Sequence, residues 1–325
     1  MYRYHQNILN WGNPIQAPLS ITYNIINSFK SKYNIRLYSI NESEDIVLKE
    51  GDIFIGHPWP DFHSKSPQKN SWTSYDTKQI TNRVVLKYPN DERVFLLSPF
   101  NQDKDQIGWA IPLFEKTKNY IAICGDIWKN NLLDEFPVFK NCKFNQLNMA
   151  LDILQYPFLK NKFNRKGERK FLYIGRISEE KNTVMLEKIA AAVPGFKGGY
   201  IAEGYIKGWK QIAPHAFLTS ELMKKLAEEY DFFINTSIFD AQATTILEAM
   251  SWGFCIACTP QSGYKHESVF ELSTDDFEYN MSKVIQMQET NEENLTTMQN
   301  DNKKLLSSKY SWANFRQQLS KIINN

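Results

Sequence analysis

Two carboxylates eight residues apart, Asp240 and Glu248, are the residues in this chain best placed to do chemistry. They lie in the run Asp231–Gly253, where an apolar strand passes into a loop of small residues and a helix begins near Thr244. The first amides of a helix have no partner within it, and the helix dipole adds to their attraction for a phosphate or carboxylate. Glu248 falls about one turn into that helix, where an ionised carboxylate can accept two hydrogen bonds from a diol such as a ribose. Asp240 precedes it across Ala241, Gln242, Ala243, Thr244 and Thr245, so both acids can address one ligand. A second run, Phe171–Asn182, again carries an apolar strand to a glycine, Gly175, followed by Arg176 and Lys181. An arginine and a lysine on one strand-end loop are suited to neutralising a diphosphate.

Together the two runs resemble the donor-binding half of glycosyltransferase family 4, retaining enzymes of the GT-B fold that use nucleotide sugars. The family's G-R-x-x-x-x-K pattern is matched by Gly175, Arg176 and Lys181, which the resemblance assigns to the donor diphosphate. Its E-x7-E pattern, followed by A-M-A/S-x-G, is matched by Asp240, Glu248, Ala249, Met250, Ser251 and Gly253. The resemblance implies that Glu248 binds the nucleotide ribose, that Asp240 contacts the transferred sugar, and that Ala241–Thr245 line the donor. Weaker likeness extends further. Asn148, Asp152 and Phe158 resemble the family's N-G-V-D…F segment, and Tyr310-Ser311-Trp312 resembles the S-W before a terminal helix that packs on the first domain. Gly12 stands where the family has a glycine-rich loop near the transferred phosphate.

The chain also departs from the pattern. Asp240 replaces the usual Glu and is shorter by one methylene. Ala241 and Ala243 replace two glycines of the family's G-F-G, which is expected to restrict the backbone there. The family's first-domain histidine has no equivalent at the end of the strand Val94–Ser98, which runs into Ser98-Pro99; His57, after the strand Asp52–Gly56, is the alternative candidate. His63 has a lesser claim. Asp103-Lys104-Asp105 spells the D-x-D of the other glycosyltransferase fold, but in a polar loop, and a plan of two Rossmann-like domains does not need its metal. Cys255 and Cys258 form a C-x-x-C within an apolar strand, where residues three apart point to opposite faces, so no metal site is expected. Trp59, Trp72 and Trp109 could stack on a sugar, although burial is the commoner fate of tryptophan.

These residues need strand ends and helix starts to hold them, and the chain alternates short apolar runs with helical patterns, the signature of parallel α/β units. In the first half the predicted strands are Ile35–Ile40, Asp52–Gly56, Val94–Ser98 and Tyr120–Cys124, preceded by an amphipathic helix carrying Ile21, Ile25, Ile26 and Phe29. Pro58–Asn90 reads as an irregular excursion or a lid, with room for a small strand at Val84–Leu86. The polar, basic stretch Lys160–Lys170 reads as a linker. Beyond it the expected order is strand Phe171–Ile174, helix Val184–Val193, strand Gly199–Ala202, helix Glu221–Glu229, strand Asp231–Asn235, helix Thr244–Trp252 and strand Phe254–Cys258. The predicted fold is therefore α/β, with two Rossmann-like domains facing across a cleft. Residues 1–165, joined by a C-terminal helix at about 311–325, form the acceptor side, and 166–310 form the nucleotide-sugar side.

Composition limits the other possibilities. The chain has 325 residues, 42% of them hydrophobic and 23% charged, which suits two globular cores. With 38 basic and 36 acidic residues there is no electrostatic case for nucleic-acid binding. The balance hides an asymmetry: 23 basic and 17 acidic residues up to position 170, against 15 and 19 beyond it. A mildly basic first half leaves room for peripheral contact with an anionic membrane or a lipid-linked acceptor. No apolar run is long enough to span a bilayer, no signal-peptide pattern opens the sequence, and four cysteines suit a reducing cytoplasm. The expected activity is transfer of a hexose-type sugar from a nucleotide-diphosphate donor to a hydroxyl acceptor, with no metal and no cofactor beyond the donor. Two other readings keep the fold: an inactive nucleotide-binding scaffold of a glycan-assembly complex, and a GT-B sugar-nucleotide epimerase.

Overall fold

The computed structural model describes residues 17–39, 43–67, 71–215 and 219–324. They form two compact units. The first takes the described residues up to Cys124, Trp128–Asn148 and the C-terminal helix from Trp312. The second takes Gly125–Ile127 and Met149–Ser311.

The first unit opens with α1 (Ala17–Phe29), whose Ile21, Ile26 and Phe29 are buried on one face. That face packs on the C-terminal helix Trp312–Asn324, which buries Phe315, Leu319 and Ile323 at four-residue spacing. Arg316 donates to Asn24 Oδ1 at 2.7 Å across the pair. Four parallel strands follow, β1 (Phe54–Gly56), β2 (Val94–Pro99), β3 (Asn119–Ile123) and β4 (Lys143–Leu147), in that spatial order. The described part of the expected strand Ile35–Ile40 is not a strand, because no neighbour among the described residues offers a ladder for its backbone. Val84–Leu86 is likewise not a strand. It belongs to α2 (Ile80–Lys87), where Ile80 and Val84, then Thr81 and Val85, are buried four residues apart. Helical spacing overrides the β-branched preference of the two valines.

The second unit holds β5 (Phe171–Ile174), α3 (Thr183–Ala192), β6 (Gly198–Ile201), β7 (Lys210–Ala213), α4 (Ser220–Glu229), β8 (Phe232–Asn235), α5 (Thr244–Trp252), β9 (Cys255–Cys258), β10 (Val269–Glu271), α6 (Phe277–Glu289) and α7 (Glu292–Ser308). Its six strands are all parallel, in the order β10-β9-β8-β5-β6-β7. The central strands β5, β8 and β9 are buried at every position and read as continuous apolar runs, as strands covered on both faces must. Among the described residues no helix is long and apolar enough to cross a membrane.

The stretch read as a linker is part of this unit's interior. Lys160 and Asp231 are fully buried, and Lys160 Nζ lies 3.1 Å from Asp231 Oδ1 and 2.9 Å from the Ala227 carbonyl oxygen. Arg169, also buried, stands 3.9 Å from the same carboxylate. The Asn164 and Lys170 amides and the Asn164 side chain donate to Asp231 at 2.8–2.9 Å. Both cations sit against the Phe163 ring. Burial draws the Lys160 ammonium below its ordinary range, against the pull of Asp231. The polar composition that suggests a linker is thus a charge cluster that closes around the entry to β8. Asp231→Asn leaves two buried cations without their carboxylate and is expected to cost about 3–5 kcal/mol in urea unfolding; a loss below about 1 kcal/mol contradicts this role for the cluster.

Candidate active site

In the second unit the chain passes from β5 outward through β6 and β7, then returns to lay β8 on the other side of β5. The loops leaving the carboxyl ends of β5 and β8 therefore lead to opposite faces of the sheet, the switch point at which open α/β sheets take their ligands. Both candidate runs end here. The loops are stitched together: Thr236 Oγ1 donates to the Lys181 and Asn182 carbonyl oxygens at 3.1 Å, and the Ile238 amide to the Glu180 oxygen at 2.9 Å. At Gly175 a Cβ would come within 2.9 Å of the Tyr173 hydroxyl, which itself donates to the Arg176 carbonyl at 2.6 Å.

Lys181 and Asp240, fifty-nine positions apart, meet as a direct ion pair, with side chains 14% and 19% exposed. Arg176 is placed differently. Its guanidinium is 78% exposed and pairs with Glu180 at 3.0 Å. The structure thus joins one cation to the loop acid and leaves the other at the rim.

Glu248 lies on α5 as the sequence predicts, half-buried one turn from its start. Burial pushes its carboxyl up to about 7, opposed by the Tyr156 hydroxyl 3.4 Å from Oε1. No side chain caps α5: Ala243 occupies the cap position and makes no side-chain bond there. The positive end of the helix at Thr244 and Thr245 is open to an anion.

The loop before the helix is braced by the turn after β9. The Asp240 amide donates to the Gln261 oxygen at 3.0 Å, the Ala243 amide to the Ser262 oxygen at 2.9 Å, and the Tyr264 hydroxyl to the Ala243 oxygen at 2.9 Å. Gly263 has φ +96° and lies so close that a Cβ would stand 2.7 Å from Gln242 Cα, so glycine is required there twice over. Gln242 is turned inward and 6% exposed; its amide group accepts from the Met149 amide and donates to the Gly263 oxygen at 3.5 Å. Its side chain braces the loop. The expected restriction at the alanines has no cost in this conformation: Ala243 is extended, with φ −63° and ψ 113°, and Ala241 is not among the residues at positive φ.

Tyr156, Tyr173, Gly263 and Tyr264 complete the site and were not singled out in the sequence. The Pro260-Gln-Ser-Gly263 turn after a buried strand is a local signal that could have drawn attention to Gly263 and Tyr264; Tyr156 and Tyr173 carry none.

The remaining candidates lie elsewhere. Gly12 is outside the described residues. His57 follows β1 in the first unit, where its Nδ1 is 3.0 Å from the Leu97 oxygen and its ring meets Trp59 edge-on. Burial pulls it down to about 3, so it is neutral at pH 7. Ser98, where a histidine was sought, bonds the Tyr120 hydroxyl at 2.9 Å. Asp103 caps a single helical turn by accepting from the Asp105 amide at 3.0 Å, which accounts for the D-x-D. Cys255 and Cys258 are buried free thiols on β9, and burial pushes the Cys258 thiol up to about 12. Among the described residues no three His, Cys, Asp or Glu side chains gather as a metal ion would need.

No protein-family model and no curated protein matches the chain. Solved structures do. TarM of S. aureus has a TM-score of 0.55 at 12% identity, covering 75% of this chain and 57% of its own. Sucrose-phosphate synthase from Thermosynechococcus elongatus has a TM-score of 0.55 at 10% identity, covering 71% and 67%. HepE of Anabaena, solved with UDP and glucose, has a TM-score of 0.53 at 10% identity, covering 75% and 81%. The chain thus spans little more than half the length of TarM. These likenesses show the fold: α/β, with the two Rossmann-like units of the GT-B class.

The folded-state value of Glu248 stands above its ordinary 4.5, so the folded chain holds an extra proton between pH 4.5 and about 7 and loses stability as the pH rises through that window. Glu248→Gln cannot ionise and removes the loss. Relative to the parent, its urea midpoint is expected to be higher at about pH 8 than at about pH 4.5; an equal difference at both pH values contradicts a buried, proton-binding Glu248.

Proposed function

We propose that the chain is a retaining glycosyltransferase of the family 4 type, moving a sugar from a nucleotide-diphosphate donor to a hydroxyl acceptor. The observation that carries this reading is the placement, at the strand reversal of the second unit, of Glu248, the uncapped start of α5, and the Lys181–Asp240 pair, with Arg176 exposed on the same loop as Lys181. The fold shared with TarM and HepE, both solved with UDP bound, supports it.

In this reading the ribose diol donates to the Glu248 carboxylate, and the diphosphate lies against the Thr244 and Thr245 amides. Arg176 leaves Glu180 for the phosphates, which its exposure permits. Lys181 turns from Asp240 to the phosphate nearest the sugar, and the freed Asp240 accepts from a sugar hydroxyl. The bond between the anomeric carbon and the phosphate oxygen breaks, its electron pair leaving on the diphosphate. The acceptor oxygen then bonds to that carbon, and its proton passes to the departing phosphate. Charge builds on the leaving group as the bond breaks, so Arg176 and Lys181 hold the transition state more tightly than the bound donor. The reading calls on the nucleotide sugar as co-substrate and on no further cofactor.

Purified protein supplied in turn with UDP-, GDP- and ADP-sugars and a cell-extract acceptor is expected to release nucleotide from one of them. Arg176→Ala and Glu248→Ala are each expected to lower kcat/KM about 10- to 150-fold, the loss of one charge-assisted hydrogen bond. Unchanged rates in both variants contradict the site assignment. Tight nucleotide binding with no release from any donor favours the scaffold instead.

A further inference from the structure

Glu248 is held from behind by a strap of chain. The segment Tyr156–Lys160 crosses the carboxyl-terminal half of α5 and is tied to it repeatedly. The Leu159 and Lys160 amides both donate to the Trp252 oxygen at 3.0 Å. The Phe158 ring covers Gly253 so closely that a Cβ there would stand 2.7 Å from it. Tyr156 meets the helix at three points. Its carbonyl accepts from Ser251 Oγ, its ring packs on Trp252 with centroids 5.5 Å apart, and its hydroxyl reaches Glu248 Oε1.

We propose that Tyr156 is a positioning residue for Glu248, its hydroxyl donating to one carboxylate oxygen so that the group stays ionised and turns the other oxygen to the ligand diol. The inference rests on the donor-site reading above. Fixing carbonyl and ring leaves the hydroxyl little freedom to point elsewhere, and a donor held in advance need not be ordered at the moment of binding. The electrostatics favour the same role. A protonated carboxyl loses acceptor capacity, and burial drives Glu248 towards that form, while the Tyr156 hydroxyl is the group that opposes it. The other titratable groups facing this corner do not replace it. Burial and Glu248 itself raise the Tyr156 hydroxyl, and Asp152 adds to that from the tyrosine's side. The Tyr264 hydroxyl is engaged with the Ala243 oxygen. From α7, which packs on α5, Lys303 lies over the Phe158 ring.

The test is calorimetric titration of whichever nucleoside diphosphate, UDP, GDP or ADP, binds most tightly, from about pH 5.5 to about pH 9. Glu248→Gln supplies the baseline, since it retains the titration of the nucleotide's own phosphate. Above that baseline, wild-type affinity is expected to rise as the pH passes Glu248's value. In Tyr156→Phe the rise moves to higher pH, so that Kd is weakened about 3- to 10-fold at pH 7 and within about twofold of wild type at pH 9. Ser251→Ala, which frees the Tyr156 carbonyl and keeps the hydroxyl, moves it the same way by less. A Tyr156→Phe curve that superimposes on wild type, or that is weakened equally at every pH, overturns the inference while leaving the donor site standing. Wild-type protein that binds none of the three nucleotides removes the donor site, and the inference with it.

Discussion

The arrangement of the second unit depends on one constraint: a parallel sheet whose strand order reverses beside β5 sends the loops on either side of that point to opposite faces. Right-handed crossovers force the chain to cover one face on the way out through β6 and β7 and the other on the way back through β8 and β9. The two loops that leave the reversal are joined at their bases through Thr236 and Ile238, and Lys181 and Asp240 pair between them. The reversal also sets the start of α5 at the same end of the sheet, so Lys181, from a loop fifty-nine positions before Asp240, is brought to the segment that carries the helix start and both acids.

Holding a carboxyl beside this reversal has a cost that other contacts offset. Glu248 is kept where burial disfavours its charge, a position that lowers stability at neutral pH. Around it the structure is unusually tied down. The turn after β9 supports the loop from one side through Gln261, Ser262 and Tyr264, and the Tyr156–Lys160 strap supports the helix from the other. The strap continues into the buried Lys160–Asp231–Arg169 cluster at the opposite end of β8. One polar stretch therefore links the charge cluster that closes the bottom of the strand to the helix that carries the carboxylate at its top.

Much of this was legible in the residues, and the limits are physical. The strands β5, β8 and β9 announce themselves because a strand covered on both faces must be apolar throughout, and Phe171–Ile174 and Thr244–Trp252 fall at the predicted bounds. The edge strands β4, β7 and β10 escaped because an edge is half-solvated: Lys143-Phe-Asn-Gln-Leu147 and Lys210-Gln-Ile-Ala213 carry no pattern that separates them from loop. Lys160–Lys170 misled for the opposite reason, since composition cannot distinguish a solvated charge from a buried, paired one. The candidate acids and cations stand out in the sequence by strand ends and spacing. Tyr156, Tyr173 and Tyr264 were not, because each contributes through a hydroxyl brought from a distant segment, and a tyrosine in sequence looks like core. Gln242 illustrates the same gap: its position in the loop before α5 is visible in the sequence, and its inward rotamer is not.

The central claim is that a nucleoside diphosphate occupies the strand reversal of the second unit. Amide hydrogen exchange with and without saturating nucleoside diphosphate tests it directly, since bound ligand slows exchange where it shields or stabilises backbone. Protection is expected in 175–182 and 237–248, with α1 and the C-terminal helix unchanged. Binding accompanied by protection elsewhere, with both of those segments unaltered, would contradict it.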